Sequence, residues 1–139
     1  INLINKNTIN MYNFFKKNKL VFFSSNLILI IEYIYPGSLL GCIIFNDCKK
    51  QPQLTHDFII SANHFYSFFV LSIIGIFTYK KNHEFKILII YLLLLSLFLE
   101  ILHLIIPNRT FEFSDFFGNL FGILIALTIY KFIKKHEKY

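Results

Sequence analysis

Residues 85–106 read FKILIIYLLLLSLFLEILHLII, and this run decides the class of fold. With tyrosine counted among the apolar residues, Ser96 is the one polar residue between Ile87 and Leu99. As an α-helix the run is about 33 Å long, enough for the roughly 30 Å hydrocarbon core of a bilayer. A lone strand would leave its backbone N–H and C=O groups unpaired in lipid, so a helix is the form the bilayer admits.

Working outward, three more apolar stretches approach the same length: Leu20 to Leu40, Ile59 to Tyr79 and Phe116 to Ile133. The expected fold is all-α, an integral membrane bundle of four transmembrane helices. Residues 1–19 read as a polar tail, 20–133 as the membrane domain and 134–139 as a second, basic tail. No small-x-small cleavage site follows a short apolar core, so the early residues do not read as a signal peptide. The first stretch carries Glu32 in its interior and ends in the helix-stopping cluster Tyr35-Pro36-Gly37-Ser38, after which Leu39 to Phe45 is apolar again. That segment either extends the span, dips back into the membrane or lies along its surface.

Composition agrees. Apolar residues make up 55% of the chain and charged residues 16%, where a soluble domain carries roughly 25% charged. The formal charge is +6, and the positions of the basic residues say what that excess is for. Four spans put Lys6, Lys16, Lys17, Lys19, Lys80, Lys81, Lys86, Lys131, Lys134, Lys135 and Lys138 on one side, against Lys49, Lys50 and Arg109 on the other. The positive-inside rule then places both termini in the cytoplasm and the loops 41–58 and 107–115 outside. Basic residues that flank spans leave no compact patch for a phosphate backbone, so no nucleic-acid partner is expected. Cys42 and Cys48 read as ordinary thiols, with a single disulfide as the alternative.

An ionisable side chain at a helix centre costs about 2.5 to 3.5 kcal/mol on insertion scales, so those inside the spans call for a reason. Glu100 and His103 are 60° apart on an ideal helix, and Pro107, seven residues beyond Glu100, returns to the same face. Asp115, Asn119 and Gly122 share one face of the last span, and Ser114 and Asp115 stand where an N-cap belongs. Arg109, in the connection between them, suits bidentate binding of Glu100 or Asp115. His64, near the outer end of the second span, is the natural fourth contributor. Gly118-x-x-x-Gly122-x-x-x-Ala126 marks a face for close helix packing.

The run Glu100-x-x-His103-x-x-x-Pro107-x-Arg109-x-x-x-x-x-Asp115-x-x-x-Asn119-x-x-Gly122 closely resembles the signature of the VanZ-like family of small multi-span bacterial membrane proteins. His64-Phe65 resembles that family's earlier His-Phe motif, and Tyr35-Pro36-Gly37-Ser38 the Leu-Pro-Gly that closes its first span. Two departures stand out: His103 occupies a position often held by Gln, and Ile60-Ser61 replaces an Asp-Lys pair. The resemblance implies a cytoplasmic-membrane protein acting at the cell envelope, and the name-giving member is associated with reduced susceptibility to the glycopeptide teicoplanin.

Three readings of the polar cluster stay open. It is a satisfied network that pins helices together, with Pro107, Gly118 and Gly122 serving packing. Or it binds or modifies a lipid, a lipid-linked envelope precursor or a glycopeptide: Arg109 holds an anionic headgroup, Glu100 or Asp115 acts as base, and His103 or His64 as acid. Or Glu100 and His103 relay protons for transport, which four spans without an internal repeat support only as a homo-oligomer. Glu100-x-x-His103 has the local spacing of di-iron bundles, but those need two such motifs and more carboxylates, so neither a metal nor another cofactor is expected.

Overall fold

The computed structural model describes residues 19–79 and 82–136, and those residues form five helices and no strand. We label them α1 (Lys19–Ile34), α2 (Leu39–Phe45), α3 (Ala62–Thr78), α4 (Asn82–Leu102) and α5 (Phe113–His136). The expected polar tail, apart from Lys19, lies outside the described residues, as do Lys80, Lys81 and Lys138.

α1 stops at Ile34 because Pro36 disfavours helical backbone at Tyr35 and supplies no N–H. Gly37 then takes a φ of +99°, and a Cβ there would lie 2.6 Å from the Cys48 carbonyl oxygen, so no larger residue fits. The Ser38 hydroxyl accepts from the Gly41 N–H at 2.9 Å and restarts the helix as α2, at 87° to α1. That bend excludes a straight continuation of the first span. α2 ends at Asn46 in the left-handed region, and the chain doubles back far enough to join Cys42 to Cys48 by a disulfide, with Cα atoms 4.2 Å apart. The structure thus replaces the expected pair of thiols with a covalent clip, because the αL turn at Asn46 brings two residues six apart into register.

The second apolar stretch is helical only from Ala62. Its first turn is capped from upstream, where the Asp57 carboxylate accepts from the Ala62 N–H at 2.8 Å. The third ends at Leu102 rather than Ile106, passing through i→i+3 turns at His103, Leu104 and Ile105. Pro107 therefore sits exposed in a turn and does not share a helix face with Glu100. α5 begins at Phe113, with the Glu112 carbonyl accepting from the Asp115 and Phe116 N–H groups. Glu112 is thus the capping residue, and the expected cap pair Ser114 and Asp115 belongs to the first turn.

α3 and α5 make the most extensive contact, α1 lies against α3 and α4, and α4 lies against α5. Phe68, Leu71, Ile76, Leu92, Leu99, Ile123 and Ala126 fill the centre. Outside, Ile28, Val70, Ile90, Leu94, Phe98, Phe121 and Leu124 are exposed, an apolar exterior that needs lipid rather than water. α4 and α5 are long and apolar enough to cross a membrane; α3, at 17 residues, is shorter, and α1 with α2 qualifies only as a bent pair. The structure accordingly supports an all-helical membrane protein with two spans established by length.

Candidate functional site

The ends of α1 and α4 and the beginnings of α3 and α5 meet at one end of the bundle. Each contributes a polar side chain that its own helix cannot satisfy. From α3, His64 is 6% exposed; Glu100 and Asn119 are fully buried, His103 nearly so, and Asp115 partly. His64 stands at the centre: its Nδ1 is 3.4 Å from Glu100 Oε1, and its Nε2 is 3.3 Å from Asp115 Oδ2. His103 Nδ1 approaches the same Glu100 Oε1 at 3.3 Å. The structure therefore brings together five of the six residues singled out from the sequence: His64, Glu100, His103, Asp115 and Asn119.

Tyr33, which sequence reasoning passed over, ties this cluster to α1. Its hydroxyl donates to Asn119 Oδ1 at 2.6 Å and lies 3.1 Å from His64 Nδ1, while its ring stacks on that of His103. The signal was nearby: Glu32 drew attention as the charge in span one, but the adjacent tyrosine is the residue that points inward. Glu32 is half-buried and instead lines the wall of a neighbouring cavity.

Arg109 corrects the expectation of a carboxylate clamp. Its Nη2 donates to the Glu32 carbonyl at 2.9 Å and its Nε to the Tyr35 carbonyl at 3.3 Å. Between these, His103 Nε2 donates to the Tyr33 carbonyl at 3.1 Å. A helix leaves its last carbonyls without intrahelical donors, and Pro36 removes the chain that would otherwise supply them. Arg109 and His103 cap the C-terminus of α1, a place where the helix dipole also favours a cation.

Hydrogen bonding fixes the state of the rings. A carbonyl only accepts, so His103 Nε2 carries a proton, and in the neutral ring Nδ1 presents a lone pair to Glu100. Tyr33 spends its proton on Asn119, so its oxygen is free to accept from His64 Nδ1–H, which leaves Nε2 facing Asp115. Neither oxygen of Glu100, nor His103 Nδ1, nor Asn119 Nδ2 has a hydrogen-bond partner among the described residues. Buried polar atoms without partners cost roughly 1 to 3 kcal/mol each, and more when charged. The arrangement is suited to holding a positive charge between Glu100, His64 and Asp115.

His64 also forms part of the wall of a cavity of about 340 Å³ that residues 51–54 help to line. Arg109, Glu32, Asn63 and Tyr66 supply polar lining; Leu40, Ile44 and Leu54 supply apolar lining and are themselves exposed. Gly118 and Gly122 sit below, where α5 runs against the backbone of α3.

No curated protein and no solved structure matches the chain. The sequence profile of the VanZ/LLP1 family matches residues 1–134, nearly the whole length, and includes every member of this cluster. A bundle of apolar-faced helices with its buried polar residues gathered at one end is thus the form that the family takes here: the chain belongs to the VanZ/LLP1 family.

Proposed function

We propose that this VanZ-type protein crosses the cytoplasmic membrane four times, with both termini inside, and receives the anionic headgroup of a lipid or lipid-linked envelope component from the outer leaflet. The observation that carries this reading is the cavity, which pairs Arg109 and His64 with the exposed apolar side chains of Leu40, Ile44 and Leu54. Such a wall accepts an acyl or prenyl chain from the bilayer while the polar lining takes its head. Arg109 donates two N–H groups to carbonyls and has others to offer. An effect on glycopeptide susceptibility follows, in this reading, from engagement of that component.

Two features support the topology. Lys19, Lys86, Lys131, Lys134 and Lys135 lie toward the end of the bundle opposite the cluster, the end that the positive-inside rule assigns to the cytoplasm. The disulfide lies at the cluster end, and disulfides persist in oxidising compartments. In intact cells Cys42 and Cys48 are therefore expected to refuse a membrane-impermeant maleimide until an impermeant reductant is added, and then to accept it. Labelling only after lysis places the cluster inside and ends the outer-leaflet reading.

For the ligand, the test is photocrosslinking of purified protein in phosphatidylcholine liposomes with a diazirine-bearing isoprenoid phosphate. Crosslinks are expected within residues 40–67. Ser67 lines the cavity, and its hydroxyl is already turned back onto the Asn63 carbonyl. Ser67→Leu fills space at little cost to the fold and is expected to cut crosslinking about tenfold, equivalent to 1.4 kcal/mol of affinity. Undiminished crosslinking in that variant, at unchanged thermal stability, counts against the cavity as the binding site.

A further inference from the structure

We infer that His64, Glu100 and Asp115 form a site for a single divalent transition-metal ion of the zinc class. This stands independently of the lipid reading, because it rests on the buried cluster rather than on the cavity.

The geometry is that of a ligand set. One ligand atom from each of the three residues lies within 4.8 Å of the others. His64 Nε2 lies 3.3 Å from Asp115 Oδ2, the spacing of a coordination shell, while Glu100 Oε1 approaches the other ring nitrogen, Nδ1, at 3.4 Å. Bonds of about 2.1 Å from one imidazole and two carboxylates to a tetrahedral ion set ligand atoms about 3.4 Å apart.

The independent observation is the set of buried atoms that lack partners. Glu100 is fully buried, and neither of its oxygens has a hydrogen-bond donor among the described residues. An ionised carboxylate in that position needs a cation beside it. Arg109 forms no ion pair with it among the described residues, its Nε and Nη2 being turned to the α1 carbonyls. His103 Nδ1, also without a hydrogen-bond partner, lies 3.3 Å from the same oxygen.

The surroundings also match what metal ligands require. A ligating histidine is oriented by the hydrogen bond of its other ring nitrogen. Tyr33 provides that bond to His64 Nδ1, and is itself held by Asn119 Oδ1, which leaves His64 Nε2 for the ion beside Asp115. His103, locked by the Tyr33 carbonyl, presents Nδ1 toward Glu100 as an additional nitrogen at the rim of the set. Imidazole with carboxylates suits zinc, and a three-residue set leaves a coordination position open. Because His64 also borders the cavity, that position is placed where a ligand oxygen or water would arrive.

The expectation of no metal came from counting only Glu100 and His103 on one helix. Asp115 and His64, already expected in the polar cluster, enter from two other helices and complete the ligand set that Glu100-x-x-His103 alone does not.

The test is cobalt and zinc binding to the purified full-length protein in detergent, after stripping with a chelator. Elemental analysis after dialysis is expected to give one zinc per chain, and Co²⁺ is expected to give the intense visible bands of a tetrahedral site. The background is a variant with His56, His83 and His136 all changed to alanine, which removes exposed imidazoles and is expected to keep full stoichiometry. In that background His64→Ala or Glu100→Gln is expected to weaken binding at least tenfold, the scale for losing a metal ligand or its close support. Loss of all binding in the triple variant, or equal binding with and without His64→Ala, overturns the site. So does a wild-type protein that binds no metal, and the positive charge between the carboxylates is then a proton carried by His64.

Discussion

Gly122→Ala is expected to abolish the folded state of this protein in detergent, with monodisperse material lost on size exclusion at temperatures where the wild type survives. A Cβ built at Gly122 lies 2.5 Å from the Phe65 carbonyl oxygen and 2.8 Å from the Phe69 nitrogen, both backbone atoms of α3. No rotamer change relieves those contacts; the two helices have to separate. Forced overpacking costs about 1 to 3 kcal/mol where side chains give way, and more where they do not. Separation also opens the largest helix interface in the molecule and withdraws Asp115 and Asn119 from His64 and Tyr33. The matched control is Phe121→Ala, one residue away on an exposed face, which is expected to leave the elution profile unchanged. An unaltered profile for Gly122→Ala shows that α3 and α5 tolerate a wider spacing and that the glycine is not what sets it.

The small-residue spacing of α5 was legible in the sequence because helical periodicity alone puts Gly118, Gly122 and Ala126 on one face. The same holds for the membrane class, since the run from Ile87 to Leu99 has few other interpretations. Helix ends were less legible. The third stretch stays apolar through Ile106, yet the helix stops at Leu102, where the chain has to turn toward α5 and His103 has to reach the Tyr33 carbonyl. Tertiary hydrogen bonds made that decision, and hydropathy carries no trace of them.

The cluster shows the same division. His64, Glu100, His103, Asp115 and Asn119 stood out as polar residues in apolar surroundings, and the structure places them in contact. Their pairing did not stand out. Charge complementarity assigned Arg109 to a carboxylate, whereas its donors go to backbone carbonyls that a break at Pro36 had left without partners. Backbone groups are the same at every residue, so a sequence does not mark which of them lack donors. Tyr33 escaped for a different reason: a tyrosine in an apolar helix carries no charge to single it out, although helical spacing puts it on the same buried face of α1 as Phe22 and Leu29.

Arg109→Leu is the second large effect, and it separates the capping account from a ligand-only account. The variant keeps an apolar stem at the cavity and removes the donors to the Glu32 and Tyr35 carbonyls. Each part-buried carbonyl left without a donor costs up to about 1 to 3 kcal/mol, so a loss of roughly 2 to 6 kcal/mol at most is expected, against a total that for most proteins is only about 5 to 15. The damage should begin at the end of α1. Limited proteolysis is expected to cut first within residues 35–60, and Tyr33, freed with the helix end, no longer holds His64 and Asn119. Arg109→Lys is informative because one ammonium reaches one carbonyl rather than two, so an intermediate stability is expected. The ligand-only account predicts a different ordering, in which both variants lose isoprenoid-phosphate crosslinking while thermal stability and protease resistance match the wild type. If Arg109→Lys restores stability but not crosslinking, the guanidinium serves both purposes, capping α1 with two of its N–H groups and meeting the headgroup with the rest.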